Sequence, residues 1–382
     1  MDFAFNDEQR ALRDRIISFA QRELNDDILA RDRAGLFPRE LWQKCGEFGL
    51  QGLPVAKDYG GSGLGPLDTA IALEALGYGC RDGGLVFAIC AHILACVVPL
   101  YRHGSAEQKR RYLPSLSDGT LVAMNAITEP AAGSDAFSMS MRAILDGDGY
   151  RITGTKRFIS NAPVADLALV YALTDPNLGF HGGVSAFLVE TGIPGFSVSK
   201  AVDKMGLRTC EMGELVLNDV RVPSDALLGS PGRGAAIISE SMAWERICLV
   251  ASHVGVMEWL LEQAINYART RKQFGQTIGK FQAVSHPIAD MKVRLEAARL
   301  LTYRAAWRLG TAREANLDAS ITKLFVSESL VSSALATMQV FGGYGFLVEN
   351  DIERVLRDAM GSKIYSGTSE MQRNIIARWL GL

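Results

Sequence analysis

Apolar positions along the first third of the chain recur at the period of a helix. Leu12, Ile16, Ile17 and Phe19 share one face, Leu41-Trp42 follows, and residues 69–76 continue the pattern. From Gly83 to Tyr101 there is no Asp, Glu, Lys or Arg, a run long enough to span a bilayer on length alone. His92 and Pro99, the Ala, Cys and Gly content and the amphipathic flanks predict a buried core helix there instead. The run Gly60-Gly61-Ser62-Gly63 has neither the following Lys-Ser or Lys-Thr nor the βαβ setting of a phosphate loop. It reads as an interhelical connection.

The pattern changes near Val122. Short runs rich in Val, Ile, Leu, Phe and Thr, at 150–153, 167–173, 184–189, 196–198 and 214–220, alternate with turn signals such as Gly147-Asp148-Gly149 and Ile193-Pro194-Gly195. From about Ser230 the period is helical again, with one long helix over 235–271 and others over 281–310 and 318–341. The predicted architecture is α+β: an N-terminal α-helical domain over 1–121, a small antiparallel β domain over 122–229 and a C-terminal α-helical bundle over 230–382.

Composition narrows the chemistry. With 48% hydrophobic residues the chain can fill a sizeable core, and its formal net charge of −2 offers no basic field for nucleic acid. The six cysteines form no CxxC pair and sit in apolar helical surroundings, so they read as reduced, buried thiols rather than a zinc site or disulfide framework. The five histidines are scattered, without a metal-ligand or Ser-His-Asp pattern. Met1-Asp2-Phe3 opens no basic, then apolar leader, so a cytoplasmic location away from membranes is expected.

Several segments then carry a resemblance. They are Ala126-Ile127-Thr128-Glu129-Pro130-Ala131-Ala132-Gly133-Ser134-Asp135, Lys156-Arg157-Phe158-Ile159-Ser160-Asn161, Arg271-Lys272-Gln273-Phe274-Gly275, and Gln339-Val340-Phe341-Gly342-Gly343-Tyr344-Gly345 with Glu349, Arg354 and Asp358 beyond it. Ile364-Tyr365-Ser366-Gly367-Thr368-Ser369-Glu370 closes the set. In this order and spacing the sequence resembles the acyl-CoA dehydrogenase family over essentially its whole length. The resemblance implies FAD as cofactor. It implies that Ile127, Thr128, Phe158 and Ser160 flank the isoalloxazine, and that Ser134 reaches the pyrophosphate or the thioester ligand. It places Thr368 and Glu370 on the flavin side. Arg271, Phe274, Gln339 and Gly343 would reach the FAD of a neighbouring subunit, which implies a homotetramer built as a dimer of dimers.

Family chemistry removes the α-proton of a thioester while hydride leaves the β-carbon for flavin N5, and it needs a carboxylate base. Many members carry that base just before Gly-Thr-Ser, where this chain has Ser366. A serine without an activator is no general base. Ala243-Trp244-Glu245-Arg246 resembles the Glu-Arg pair of the long-chain and isovaleryl enzymes, which makes Glu245 the expected base. Met242, Cys248 and Leu249 share its helix face, so the carboxylate is expected to be desolvated and its pKa raised. Met242, Arg246, Ser134 and Ser366 are the expected substrate contacts.

The substrate is less defined. Many CoA-using members place Asp two residues before this base position, and this chain has Ala243. A free acyl-CoA thioester is the first expectation. The alternative is an aminoacyl group, such as prolyl, on an acyl-carrier protein, and a second alternative is flavin oxygen chemistry on the same fold. The electron acceptor is either electron-transferring flavoprotein or oxygen.

Overall fold

The computed structural model describes residues 4–311 and 315–382; Met1-Asp2-Phe3, on which the leader reading falls, lies outside the described residues. The first zone folds as α1 (Asp7–Glu23), α2 (Ile28–Ala34), α3 (Arg39–Phe48), α4 (Pro66–Gly79), α5 (Gly83–His92), α6 (Val98–His103) and α7 (Ala106–Ser117). α1 opens on a capping box in which Asn6 and Gln9 satisfy each other's backbone N–H groups. The uncharged run forms α5 and α6, joined by a π-turn over Ile93–Val97. Its apolar window is 83% buried inside the fold, which accounts for its composition without a bilayer.

The middle zone is an eight-stranded sheet: β1 (Ala123–Ala126), β2 (Arg142–Asp146), β3 (Gly149–Ser160), β4 (Leu167–Leu173), β5 (Val184–Glu190), β6 (Phe196–Val198), β7 (Met212–Pro223) and β8 (Leu227–Leu228), with the short α8 (Gly179–Gly183) before β5. The spatial order is β6-β7-β3-β2-β4-β5-β8, with β1 beside β4. The sheet is mixed rather than purely antiparallel, because β1 and β2 both run parallel to β4, with Ala123 opposite Leu167, Ala126 opposite Val170 and Arg142 opposite Leu173. β1 is fed directly from the helical zone and needs no hairpin to reach β4. β4 is buried on both faces from Leu167 to Ala172, as its unbroken apolar run requires.

The last zone holds α9 (Gly234–Trp244), a π-turn over Glu245–Leu249, α10 (Val250–Thr270), a hairpin of β9 (Lys272–Gln273) and β10 (Gln276–Thr277), α11 (Gln282–Thr311), α12 (Asn316–Phe341), α13 (Ile352–Gly361) and α14 (Ser369–Trp379). α9, the π-turn and α10 follow one another as the long helix expected over 235–271. α10 packs directly on α4 through two glycines. A Cβ on Gly77 would lie 2.0 Å from the Ser252 carbonyl oxygen, and one on Gly255 would lie 2.1 Å from that of Glu74. This backbone contact welds the N-terminal helices to the C-terminal bundle. All six cysteines are free and buried.

Candidate active site

The π-turn at Glu245–Leu249 is the centre of the site. A π-turn widens the helix by one residue and commonly marks function. Here it inserts between α9 and α10 where Ile247, Cys248 and Leu249 are buried, and it carries Glu245 into the interior, 8% exposed. Burial pushes the Glu245 carboxyl above the ordinary range, and the neighbouring Ser366, Arg246 and Ser241 only partly offset this. The Ser366 hydroxyl donates to Oε2 at 2.8 Å. The Ser241 hydroxyl, one turn earlier, has its proton shared between Oε1 at 3.2 Å and the Leu94 carbonyl at 3.3 Å. Oε1 is therefore the less engaged oxygen.

Ser366 is held in place by its backbone. It sits at φ 52° and Gly367 at φ 87°, a left-handed pair that only the second residue adopts freely. Three side chains fix this turn. Arg246 Nε donates to the Ser366 carbonyl at 3.0 Å. Lys323 Nζ donates to the Gly367 carbonyl at 2.7 Å, and Gln372 Nε2 donates to both carbonyls, at 3.3 and 2.9 Å. Thr368 then caps α14 by accepting from the Met371 N–H at 3.3 Å. Lys323 is fully buried, and burial with the nearby Arg246 lowers its pKa to about 8. Arg246 thus positions the turn and makes no ion pair with Glu245 among the described residues.

A second group of expected residues lines the edge of the sheet. The β3–β7 register slips between Lys156 and Ile159, a bulge that re-aims its residues. At that bulge Phe158 takes φ 59° and stands 58% exposed. Lys156, turned inward and fully buried, donates to the Ile127 carbonyl and to Glu129 Oε1, each at 2.9 Å. The Arg157 N–H donates to the Thr128 carbonyl at 2.8 Å. These bonds bring Ile127 and Thr128 alongside Phe158 and Ser160. Ser134 stands exposed on the following loop.

Arg271, Phe274, Gln339 and Gly343 form a third, separate group on the outer surface of the bundle. Phe274 is 93% exposed, at φ 51°. Arg271 lies over the Tyr344 ring, 5.8 Å from its centroid, and pairs with no carboxylate among the described residues. A Cβ on Gly343 would meet nothing within 4 Å. The group has the open backbone and unpaired cation that a phosphate-bearing cofactor needs, and it stands apart from Glu245, as a site shared with another subunit would. Glu370 is exposed beside Arg373 at 3.6 Å.

Sequence reasoning missed Ser241, Lys323, Gln372 and Lys156 as positioning groups. One signal was present: Lys323 is the lone charge between Asp318 and Glu328, in an otherwise uncharged stretch of a helix.

Fold and site together are those of a flavin-dependent dehydrogenase. The chain belongs to the acyl-CoA dehydrogenase family: that family's N-terminal domain matches residues 6–120, its middle domain 125–220 and its C-terminal domain 232–381. It is 46% identical over 382 residues to an L-prolyl peptidyl-carrier protein dehydrogenase of Serratia sp., covering 100% of this chain and 99% of the relative. Among solved structures it resembles the prolyl acyl carrier protein oxidase AnaB, with 47% identity, a TM-score of 0.97 and 99% and 100% of the two chains covered. It also resembles PigA with FAD and proline, with 45% identity, a TM-score of 0.98 and both chains fully covered.

Proposed function

We propose that this protein is an FAD-dependent dehydrogenase of a carrier-protein-bound prolyl thioester, working as a cytoplasmic homotetramer. The observation that carries the reaction is Glu245, a buried carboxylate of raised pKa under the Ser366 hydroxyl. A base is most effective when its pKa approaches the working pH, and burial moves Glu245 in that direction. Ser366 occupies Oε2, which leaves Oε1 to take the α-proton of the substrate. Bound FAD supplies the hydride acceptor for the β-hydrogen. With Glu245 taking the α-proton and the flavin a hydride from the β-carbon, the Cα–H and Cβ–H bonds would break, a Cα=Cβ bond would form and the proton would stay on Glu245. Electron-transferring flavoprotein or oxygen would be the final acceptor of the electron pair.

Ile127, Thr128, Phe158 and Ser160 would hold the isoalloxazine, and Thr368 and Glu370 its other side. Ser134, Met242 and Arg246 border the path of the thioester. The carrier tether rests on the full-length likeness to prolyl-carrier enzymes and on Ala243, which is 5% exposed and offers no carboxylate to a pantetheine arm. A free CoA thioester, the first expectation from the sequence, has less support. Anaerobic mixing with prolyl-loaded carrier protein and, in parallel, with a series of acyl-CoAs separates the two. Bleaching of the flavin by the carrier substrate alone supports the proposal, and bleaching by CoA esters alone overturns the carrier tether.

A further inference from the structure

The segment between β1 and β2 carries Ser134, the residue expected at the pyrophosphate or the thioester, and both of its ends are tied to one buried carboxylate. Glu129 is 3% exposed. Its Oε2 accepts from the Ser140 N–H at 2.7 Å and from the Ser140 hydroxyl at 2.6 Å. Its Oε1 accepts from the Met141 N–H at 3.0 Å and from Lys156 Nζ at 2.9 Å. These donors close the loop over 130–139 at its base and fasten it to β3 through Lys156. Within the segment, Glu129 and Ala132 exchange backbone hydrogen bonds at 3.1 Å, and the Ser138 N–H closes a turn on the Asp135 carbonyl at 3.1 Å. Ser134 stands exposed between these two turns. Further along, Phe137 packs edge-on against Phe180 of α8, with ring centroids 4.6 Å apart, and lies 5.5 Å from the His181 ring. α8 is in turn pressed on the chain entering α9, since a Cβ on Gly232 would lie 2.3 Å from the Gly182 carbonyl oxygen. α9 leads into Glu245. The loop is therefore strung between the strand that bears Phe158 and Ser160 and an element packed on the helix that leads to the base.

We propose that Glu129 and Phe137 are positioning residues, which hold the 130–139 loop at its base and along its length so that Ser134 meets the bound ligand in one arrangement. The inference rests on the reading of the chain as an FAD-dependent thioester dehydrogenase. Most side chains of the loop are exposed, so packing alone gives it little resistance to local opening, and the two holds supply it. Burial alone would raise the Glu129 carboxyl, but Lys156, Ser140 and Met141 hold it below the ordinary range. It therefore stays a charged acceptor for all of its donors. Burial lowers the pKa of Lys156 to about 8 although the Glu129 charge opposes it, so the lysine depends on this carboxylate for its own charge. Glu129→Gln keeps the shape of the side chain but sets an amide NH2 against groups that are themselves donors, which breaks part of the hub.

The test begins on the holoenzyme before any substrate is added. In hydrogen exchange, Glu129→Gln speeds the amides of 131–141 at least about tenfold while β4 and β5 keep wild-type protection. Diluting the same samples and following released flavin by its fluorescence shows FAD held about tenfold less tightly, the scale of one lost charged hydrogen bond. Flavin reduction by prolyl-loaded carrier protein, with acyl-CoA esters run alongside, gives the kinetic side. The substrate concentration for half-maximal rate rises about tenfold and the limiting rate stays within about threefold, the pattern of lost binding rather than lost chemistry. Phe137→Ala alters a half-exposed ring. It moves exchange and half-saturation in the same direction, and decides the matter if Glu129→Gln does not fold. Faster exchange with FAD retention and half-saturation both at wild-type values would overturn the proposal, as would a fall in the limiting rate alone. If no thioester reduces the flavin, the reading of the reaction fails, and FAD retention in Glu129→Gln still decides whether the loop is held for a ligand.

Discussion

The Ser366 hydroxyl donates to Glu245 Oε2 at 2.8 Å, across 121 residues of sequence. The two positions are those at which family members place their base, and here one holds the carboxylate and the other steadies it. Arg246, Lys323 and Gln372 fix the backbone of the serine turn, so the hydroxyl is aimed before substrate arrives.

Ser366→Ala removes a donor that lowers the Glu245 pKa while leaving the burial that raises it. The base works deprotonated, so the acidic limb of the pH–rate profile should move to higher pH. Above that limb the reduction rate should change by less than about tenfold, since a single hydrogen bond to a charged group is worth roughly 1.5–3 kcal/mol and only part of it is lost in the transition state. A loss of activity at every pH would show that Ser366 takes a direct part in the chemistry.

His92 supplies a stability prediction. Its Nδ1 accepts from the Ala123 N–H at 3.0 Å, which leaves Nε2–H to donate to the Leu116 carbonyl at 2.9 Å. The ring must be neutral to make both bonds. Burial accordingly lowers its pKa from 6.5 to about 4. A histidine depressed in the folded state contributes stability that is complete above pH 6.5 and is lost as pH falls toward 4. The loss amounts to about 3 kcal/mol at 1.36 kcal/mol per pH unit. Calorimetry between pH 7.5 and 4.5 should show His92→Gln, which can donate and accept without charging, losing less stability than the wild type. Parallel curves for the two proteins would contradict this account of His92.

The helical zones and most strands were legible because their apolar periods are long and clean, as in the run over 167–173 and the helix over 235–271. β1, β2 and β8 were not: Ala123–Ala126 lacks the β-branched and aromatic residues that mark a strand, Arg142–Asp146 is short and charged at both ends, and β8 has two residues. The parallel pairing of β1 with β4 depends on where the helical zone delivers the chain, which no local pattern encodes. Glu245 was legible through the resemblance of Ala243-Trp244-Glu245-Arg246 to the family's Glu-Arg pair, with its apolar helix face in support, and the structure adds the π-turn that carries it inward. Its polar surroundings escaped because Ser241, Lys323 and Gln372 act through tertiary bonds to a turn far away in sequence. Phe274, expected at a contact with a neighbouring subunit, is an exposed apolar group, intelligible only once a partner is supposed.

Arg271→Ala tests that supposition. With an unpaired guanidinium removed from an exposed surface, FAD content and assembly of the proposed tetramer should fall together. Flavin-to-protein absorbance ratios and sedimentation velocity on the same samples measure both. Loss of FAD from an intact tetramer would still fit a phosphate contact but not a coupling of the two; full retention of both would remove Arg271 from the cofactor site.

The central claim is that Glu245 is the base. Its most direct test is the single-turnover rate of flavin reduction by prolyl-loaded carrier protein in the wild type and in Glu245→Gln, each reconstituted with FAD. The account predicts that the variant keeps its flavin spectrum and its reduction slows by roughly 10²–10⁴-fold, the usual worth of a positioned base. A variant that keeps its FAD and reduces it at near wild-type rate would contradict the account and move the base elsewhere.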